Sequence, residues 1–172
     1  IALLAPARLT RDEIVLRAPA VILLDASESM NVRDTGQTRR EAALTWLAGH
    51  RDLVSKLSER ADVLRFDFGR ELAEVPEWSS VARERLTATG DAITAVARRL
   101  KGRPGASIIV LSDGRTTAGL DPVRAATMSR ERGVRVHAIC VGDAAVAQFR
   151  DRKVNNVLCP SVAQLQSAVP IH

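Results

Sequence analysis

Apolar and polar positions change rhythm several times along the chain, and each rhythm predicts a different element. PAVILLDAS (19–27) opens on an unbroken apolar run, the pattern of a strand buried on both faces. TRREAALTWLAGHRDLVSKLSER (38–60) spaces Ala42, Leu44, Leu47, His50, Leu53, Val54 and Leu57 as one face of a single long amphipathic helix. ADVLRFDFG (61–69) alternates as a strand does, and RELAEVPE (70–77) reads as a short edge strand ended by a proline. SSVARERL (79–86) begins with two serines suited to capping a helix. GDAITAVARRLKG (90–102) predicts a helix closed by glycine, and SIIVLSDG (107–114) a second buried strand. DPVRAATMSRERG (121–133) carries Asp at the N-cap, Pro in the first turn and Gly at the end of a helix. VRVHAICVGD (134–143) is a strand, followed by a helix over 144–152, a short strand over 155–160 and a last helix over 161–169.

Strands alternating with helices predict a doubly wound, mostly parallel six-stranded sheet with helices on both faces. PAVILLDAS should lie centrally between ADVLRFDFG and SIIVLSDG, with RELAEVPE antiparallel at an edge. Such sheets bind ligands outside the carboxyl ends of their strands, where strand order reverses. That edge is where the chain concentrates oxygen. Asp25, Ser27 and Ser29 alternate at the end of one buried strand, and period two throws them to one side. Asp113 ends another buried strand, and Thr87 and Thr89 lie in the loop opening a helix on the same edge. Each piece alone suits a cap or a turn. Together, two carboxylates and three hydroxyls make a hard-cation set, for Mg2+ or Mn2+. Without imidazole or thiolate, zinc and copper are disfavoured. Clustered carboxylates repel, so removing Asp113 is expected to leave metal-free stability unchanged or higher.

Composition narrows the field. The 172 residues fit one domain, with residues 1–18 as a lead-in and 19–170 as the domain proper. Aromatics make up 3% and there is no Tyr, so Ala, Val, Leu and Ile must build the core. The net charge of +5 comes almost wholly from arginine, interspersed with acids and lacking aromatic platforms, which argues against nucleic-acid binding. Two cysteines give no CxxC spacing, and Cys140 in its apolar run reads as buried. A magnesium-dependent hydrolase is the main alternative in another class. Phosphatases with an aspartyl nucleophile after the first strand need a second carboxylate two residues on, and Ser27 stands there instead. His50, His137 and His172 offer no evident general base, and no GxxxxGK cradle occurs. IALLAPA (1–7) is too short to span a bilayer. It reads either as the trailing end of a membrane anchor or as a segment packed on the domain.

The D-x-S-x-S of Asp25-Ala26-Ser27-Glu28-Ser29, the later Thr87 and the S-D-G containing Asp113 resemble the metal-ion-dependent adhesion site of von Willebrand factor type A (VWA) domains. VILLDASESMNVRD and SIIVLSDGRTTAGLDPVRAATMSRERGVRVHAICVG look closest to bacterial, membrane-associated members. The resemblance implies a non-enzymatic interaction module. In it Ser27 and Ser29 coordinate the metal directly, while Asp25 and Asp113 hold it directly or through water. Thr87 joins in the ligand-binding state, with Thr89 the competing threonine. One position is left for an Asp or Glu of a partner protein, and a membrane tether upstream of Ile1 is implied. A structural VWA domain with a vestigial site is the third reading. Glu28 stands where the family tends to have something smaller or uncharged, and adds negative charge at the rim.

Overall fold

The computed structural model describes residues 17–34 and 36–142. Among the described residues, five strands form one sheet: β1 (Ala18–Asp25), β2 (Ala61–Phe68), β3 (Leu72–Glu74), β4 (Ser107–Ser112) and β5 (Arg135–Cys140). Their order is β3-β2-β1-β4-β5, parallel except for β3, which pairs antiparallel with β2 at the edge. The expected central strand is therefore central. The expected sixth strand (155–160), the helices over 144–152 and 161–169, and the lead-in over 1–16 lie outside the described residues.

β1 reads as a continuous apolar run because both its faces are covered. Val21 and Leu23 join Phe66, Phe68, Ile108 and Val110 in a core closed by α3 (Thr89–Arg99) and α4 (Pro122–Glu131). Ile22 and Leu24 turn the other way, towards Met30, Leu111 and Ala43 of α1 (Arg39–Gly49). Burying β1 on both sides fixes its register, since a one-residue slip would exchange the two faces.

Two helix expectations need correction. Residues 38–60 form two helices, α1 and α2 (Arg51–Arg60), broken at His50. There the His50 backbone N–H donates to the Trp46 carbonyl, and the ring, stacked on Trp46, places Nδ1 2.8 Å from that same oxygen. With Gly49 beside it, His50 leaves helical geometry at φ −107° and ψ 31°, and the first helix ends there. Residues 79–86 are not helical at all. Ser79 Oγ does accept from Val81 N–H, but the segment runs on extended against the end of β1. Glu84 N–H donates to Ala26 O and Glu84 O accepts from Glu28 N–H, while Asn31 exchanges two hydrogen bonds with the Ala82 backbone. Tertiary backbone pairing outweighs a modest helix propensity here. Cys140, read as buried, is exposed at the end of β5.

Candidate metal centre

The chain leaves β1 at Asp25 and turns through a short 3-10 segment, Glu28–Asn31. Asp25 is completely buried. One carboxylate oxygen accepts from Ser27 N–H at 2.9 Å, and the other from Ser112 Oγ at 2.6 Å. Ser112 is the last residue of β4, so the carboxylate ties together the ends of two neighbouring strands. Burial pushes the Asp25 carboxyl above the usual range, hydrogen bonds from Ser112 and Ser27 partly offset this, and the nearby Asp113 adds to the rise. No cation pairs with Asp25 among the described residues.

The turn that Asp25 caps brings Ser27 and Ser29 together, with their hydroxyl oxygens 3.0 Å apart. Ser27 is buried and Ser29 half-buried. Glu28, between them, is exposed.

Asp113 follows β4 directly, and its side chain is only 3% exposed. One oxygen accepts from Arg115 N–H at 3.0 Å and the other from Arg39 Nη1 at 2.8 Å. Gly114, at φ 80°, makes the turn a side chain would resist. Arg39 also clasps Asp34 through Nε at 2.9 Å and Nη2 at 3.2 Å, and these pairings raise its already high pKa, the Asp34 bond most. The ion pair is a stabilising contact that the expectation drawn from repulsion alone leaves out, and it opposes that expectation.

Thr87 is buried, and its backbone is bound to the loop after Asp113. Its N–H donates to Thr117 Oγ1, and its carbonyl accepts from the Thr117 and Ala118 amides. The Thr89 hydroxyl oxygen accepts from Thr116 Oγ1 at 3.1 Å. Gly90 lets the loop approach, since a Cβ there would run into the Leu120 carbonyl. The structure thus brings Asp25, Ser27 and Ser29 into one hydrogen-bonded corner. Asp113 stands beside it, and Thr87 is fixed by its backbone alongside the loop that follows.

Three residues that the sequence reading passed over complete the centre. Ser112 was visible as the serine of S-D-G at a strand end. Arg39 carried no motif. Arg40 is fully buried and braces the corner from behind. Its Nη1 donates to Asp25 O, its Nε to Ser79 O, and its Nη2 lies 2.8 Å from both Asp67 oxygens. An arginine inside the first turn of an amphipathic helix looks solvent-facing by pattern, so nothing in the spacing distinguishes it. Two further acids lie close by: Asp91 accepts from Leu120 N–H, and Asp34 is the clasp for Arg39.

No protein-family model matches the chain, and no curated protein is detectably similar to it in sequence. Solved structures are similar in three dimensions. Proximal thread matrix protein 1 from the mussel byssus aligns over 73% of this chain and 38% of its own, with 17% identity and a TM-score of 0.55. A second structure of it has a zinc-occupied MIDAS motif. The SpRpn10 VWA domain aligns over 77% of this chain and 79% of its own, with 18% identity and a TM-score of 0.54. Manganese-loaded TRAP protein of Plasmodium vivax aligns over 83% of this chain and 66% of its own, with 16% identity and a TM-score of 0.54. The chain therefore spans well under half the length of the mussel protein it resembles. At these identities the likeness is one of fold: a Rossmann-like sheet, mostly parallel with one antiparallel edge strand, as in VWA domains.

Proposed function

We propose that this chain is a metal-dependent protein-interaction module of VWA type. In this reading Mg2+ or Mn2+, held by Ser27, Ser29, Asp25, Asp113 and Thr87, captures an Asp or Glu of a partner protein. The observation that carries the reading is the corner at the end of β1. Neighbouring oxygens of an octahedral ion with ligands at about 2.0–2.1 Å stand roughly 2.9 Å apart. The Ser27 and Ser29 hydroxyls are already 3.0 Å apart. Beside them lies a fully buried carboxylate whose partners are neutral donors, an arrangement that a divalent cation would relieve.

The donor set suits a hard ion, being all oxygen. Hydroxyl ligands bring no charge, so the ion stays electron-poor and favours one more carboxylate. Between the threonines, the engagement of the Thr89 hydroxyl favours Thr87 as the ligand. The zinc and manganese named for the similar structures favour a divalent ion without selecting Mg2+. Neither His50 nor His137 hydrogen-bonds to any of the five among the described residues, which favours binding over hydrolysis. A bacterial, membrane-tethered setting with the anchor upstream of Ile1 belongs to the same proposal. Among the described residues, no helix is long and apolar enough to cross a membrane.

Calorimetric titration with Mn2+ and with Mg2+ should give one site, abolished in Asp25→Ala. Binding that survives this substitution would refute the assignment. Capture of an acidic partner should then be lost in EDTA and restored by the metal. Metal-dependent turnover of generic phosphate or ester substrates would instead make the chain a hydrolase.

A further inference from the structure

The way Arg39 divides its donors suggests a role beyond bracing. Nε and Nη2 go to the two oxygens of Asp34, at 2.9 and 3.2 Å. Nη1 alone reaches Asp113, at 2.8 Å. The guanidinium thus has a two-point anchor independent of Asp113, whose side chain is buried to the same degree as a core group. Releasing Nη1 would leave Arg39 in place.

The four carboxylate oxygens of Asp25 and Asp113 are differently held. Three accept from neutral groups: the Ser27 and Arg115 amides and the Ser112 hydroxyl. Among the described residues, only Asp113 Oδ2 is bound by a cation. A guanidinium and a divalent ion both seek that oxygen by the same charge-assisted attraction, and each lowers the other's hold on it.

We propose that Arg39 is an internal cation competing with the metal for Asp113, so that metal entry exchanges the Arg39 Nη1–Asp113 bond for a hold on the ion. The inference rests on the metal-binding reading above. Before the exchange, Arg39 stabilises the metal-free corner by neutralising Asp113. After it, Nη1 is left as a cationic donor beside the bound ion, anchored on Asp34. The cost of the exchange sets the metal concentration at which the module becomes competent.

The test compares wild type, Arg39→Gln and Arg39→Lys by Mn2+ titration and by thermal melts in EDTA and in excess Mn2+. Giving up one charge-assisted hydrogen bond is expected to weaken the wild-type site, so Arg39→Gln should bind Mn2+ about tenfold more tightly. Its melting temperature should fall in EDTA but be largely recovered in Mn2+. Lysine keeps the charge yet cannot clasp Asp34 at two points while reaching Asp113, so Arg39→Lys should shift in the same direction, by less. Binding by Arg39→Gln where wild type binds too weakly to measure would be the strongest support. If wild type binds and both variants bind equally or less tightly, Arg39 is a structural brace and the exchange is wrong. An unchanged Arg39→Lys beside a tightened Arg39→Gln would reduce the effect to bulk charge and also overturn it. If Mn2+ binds and stabilises none of the three, the metal reading itself has failed, and the exchange falls with it.

Discussion

The carboxylates ending β1 and β4 sit on one sheet edge and are held by opposite means. Asp25 is sealed from water and fixed by an amide and a hydroxyl, with Arg40 gripping only its backbone carbonyl. Asp113 lies one residue past its strand and is held by charge, through Arg39. The two arginines are consecutive on the first turn of α1, and successive helical residues point about 100° apart. One therefore points into the fold behind the corner and the other across its front. The corner has a rigid side built from the backbone and an adjustable side built from an ion pair. Under the proposed metal-binding reading, a cation would enter by rearranging only the second.

The sharpest way to break this contrast is to remove each arginine in turn. Arg40→Met leaves Asp67 unpaired and takes donors from the Asp25 and Ser79 carbonyls. Deleting one partner of a buried ion pair costs about 3–5 kcal/mol, and that is the expected loss in denaturant unfolding. Arg40→Lys should recover little, since an ammonium cannot serve Asp67 bidentately and two carbonyls besides. Arg39→Gln in EDTA should cost about 1–2 kcal/mol, because the glutamine amide can still donate to one of the two carboxylates that Arg39 holds. Equal losses at the two positions would erase the distinction between brace and front.

The carboxylates themselves give the next largest effects, with opposite signs in metal-free protein. Asn at position 25 can still accept from Ser27 N–H, and Ser112 Oγ can turn to accept from its amide. Burial raises the folded-state pKa of Asp25 above its unfolded value. A group shifted that way supports folding while protonated and loses that contribution as pH rises through the folded pKa. In EDTA, wild type and Asp25→Asn should therefore match in acid. The variant should become the more stable as pH rises above the ordinary carboxylate range, and the gap should level off beyond the raised pKa. Asp113→Asn should instead lose about 1–2 kcal/mol at neutral pH, since it removes the charge that Arg39 holds. Melts of both variants in EDTA across pH decide the matter. A loss for Asp25→Asn at neutral pH would mean that its hydrogen bonds outweigh the burial of its charge.

Much of this edge was legible because its signals are local. The apolar run of β1 gave its centrality, and D-x-S-x-S at a strand end gave the hydroxyl pair now seen 3.0 Å apart. The Asp121 cap and Pro122 gave the start of α4 to the residue. What stayed hidden depends on distant contacts. Residues 79–86 look helical alone, yet their backbone is claimed by Ala26, Glu28 and Asn31 across more than fifty residues of chain. Arg39 and Arg40 sit in a run of charge that amphipathic patterning assigns to solvent, and only their partners from β2 and the end of β4 make them structural. Buried charge is satisfied by tertiary neighbours, and periodicity carries no record of them.

The smallest effect, and the one that refines the contrast on its open side, belongs to Glu28. Its backbone holds the corner, with N–H donating to Glu84 O at 2.7 Å, while the residue itself is exposed between the two serines. Glu28→Gln keeps that backbone and removes only a charge, so stability should move by no more than about 0.5 kcal/mol. Two binding measurements should move in opposite directions. Mn2+ affinity should drop slightly, because one nearby anion is gone, while an Asp-containing peptide should bind the Mn2+-loaded protein a few-fold more tightly. Both shifts should shrink as salt is raised, since exposed charges are screened beyond about 8 Å at physiological ionic strength. If the peptide binds Glu28→Gln no better at low salt, the rim charge does not face the ligand, and selectivity for acidic partners rests on the metal and the Arg39 side alone.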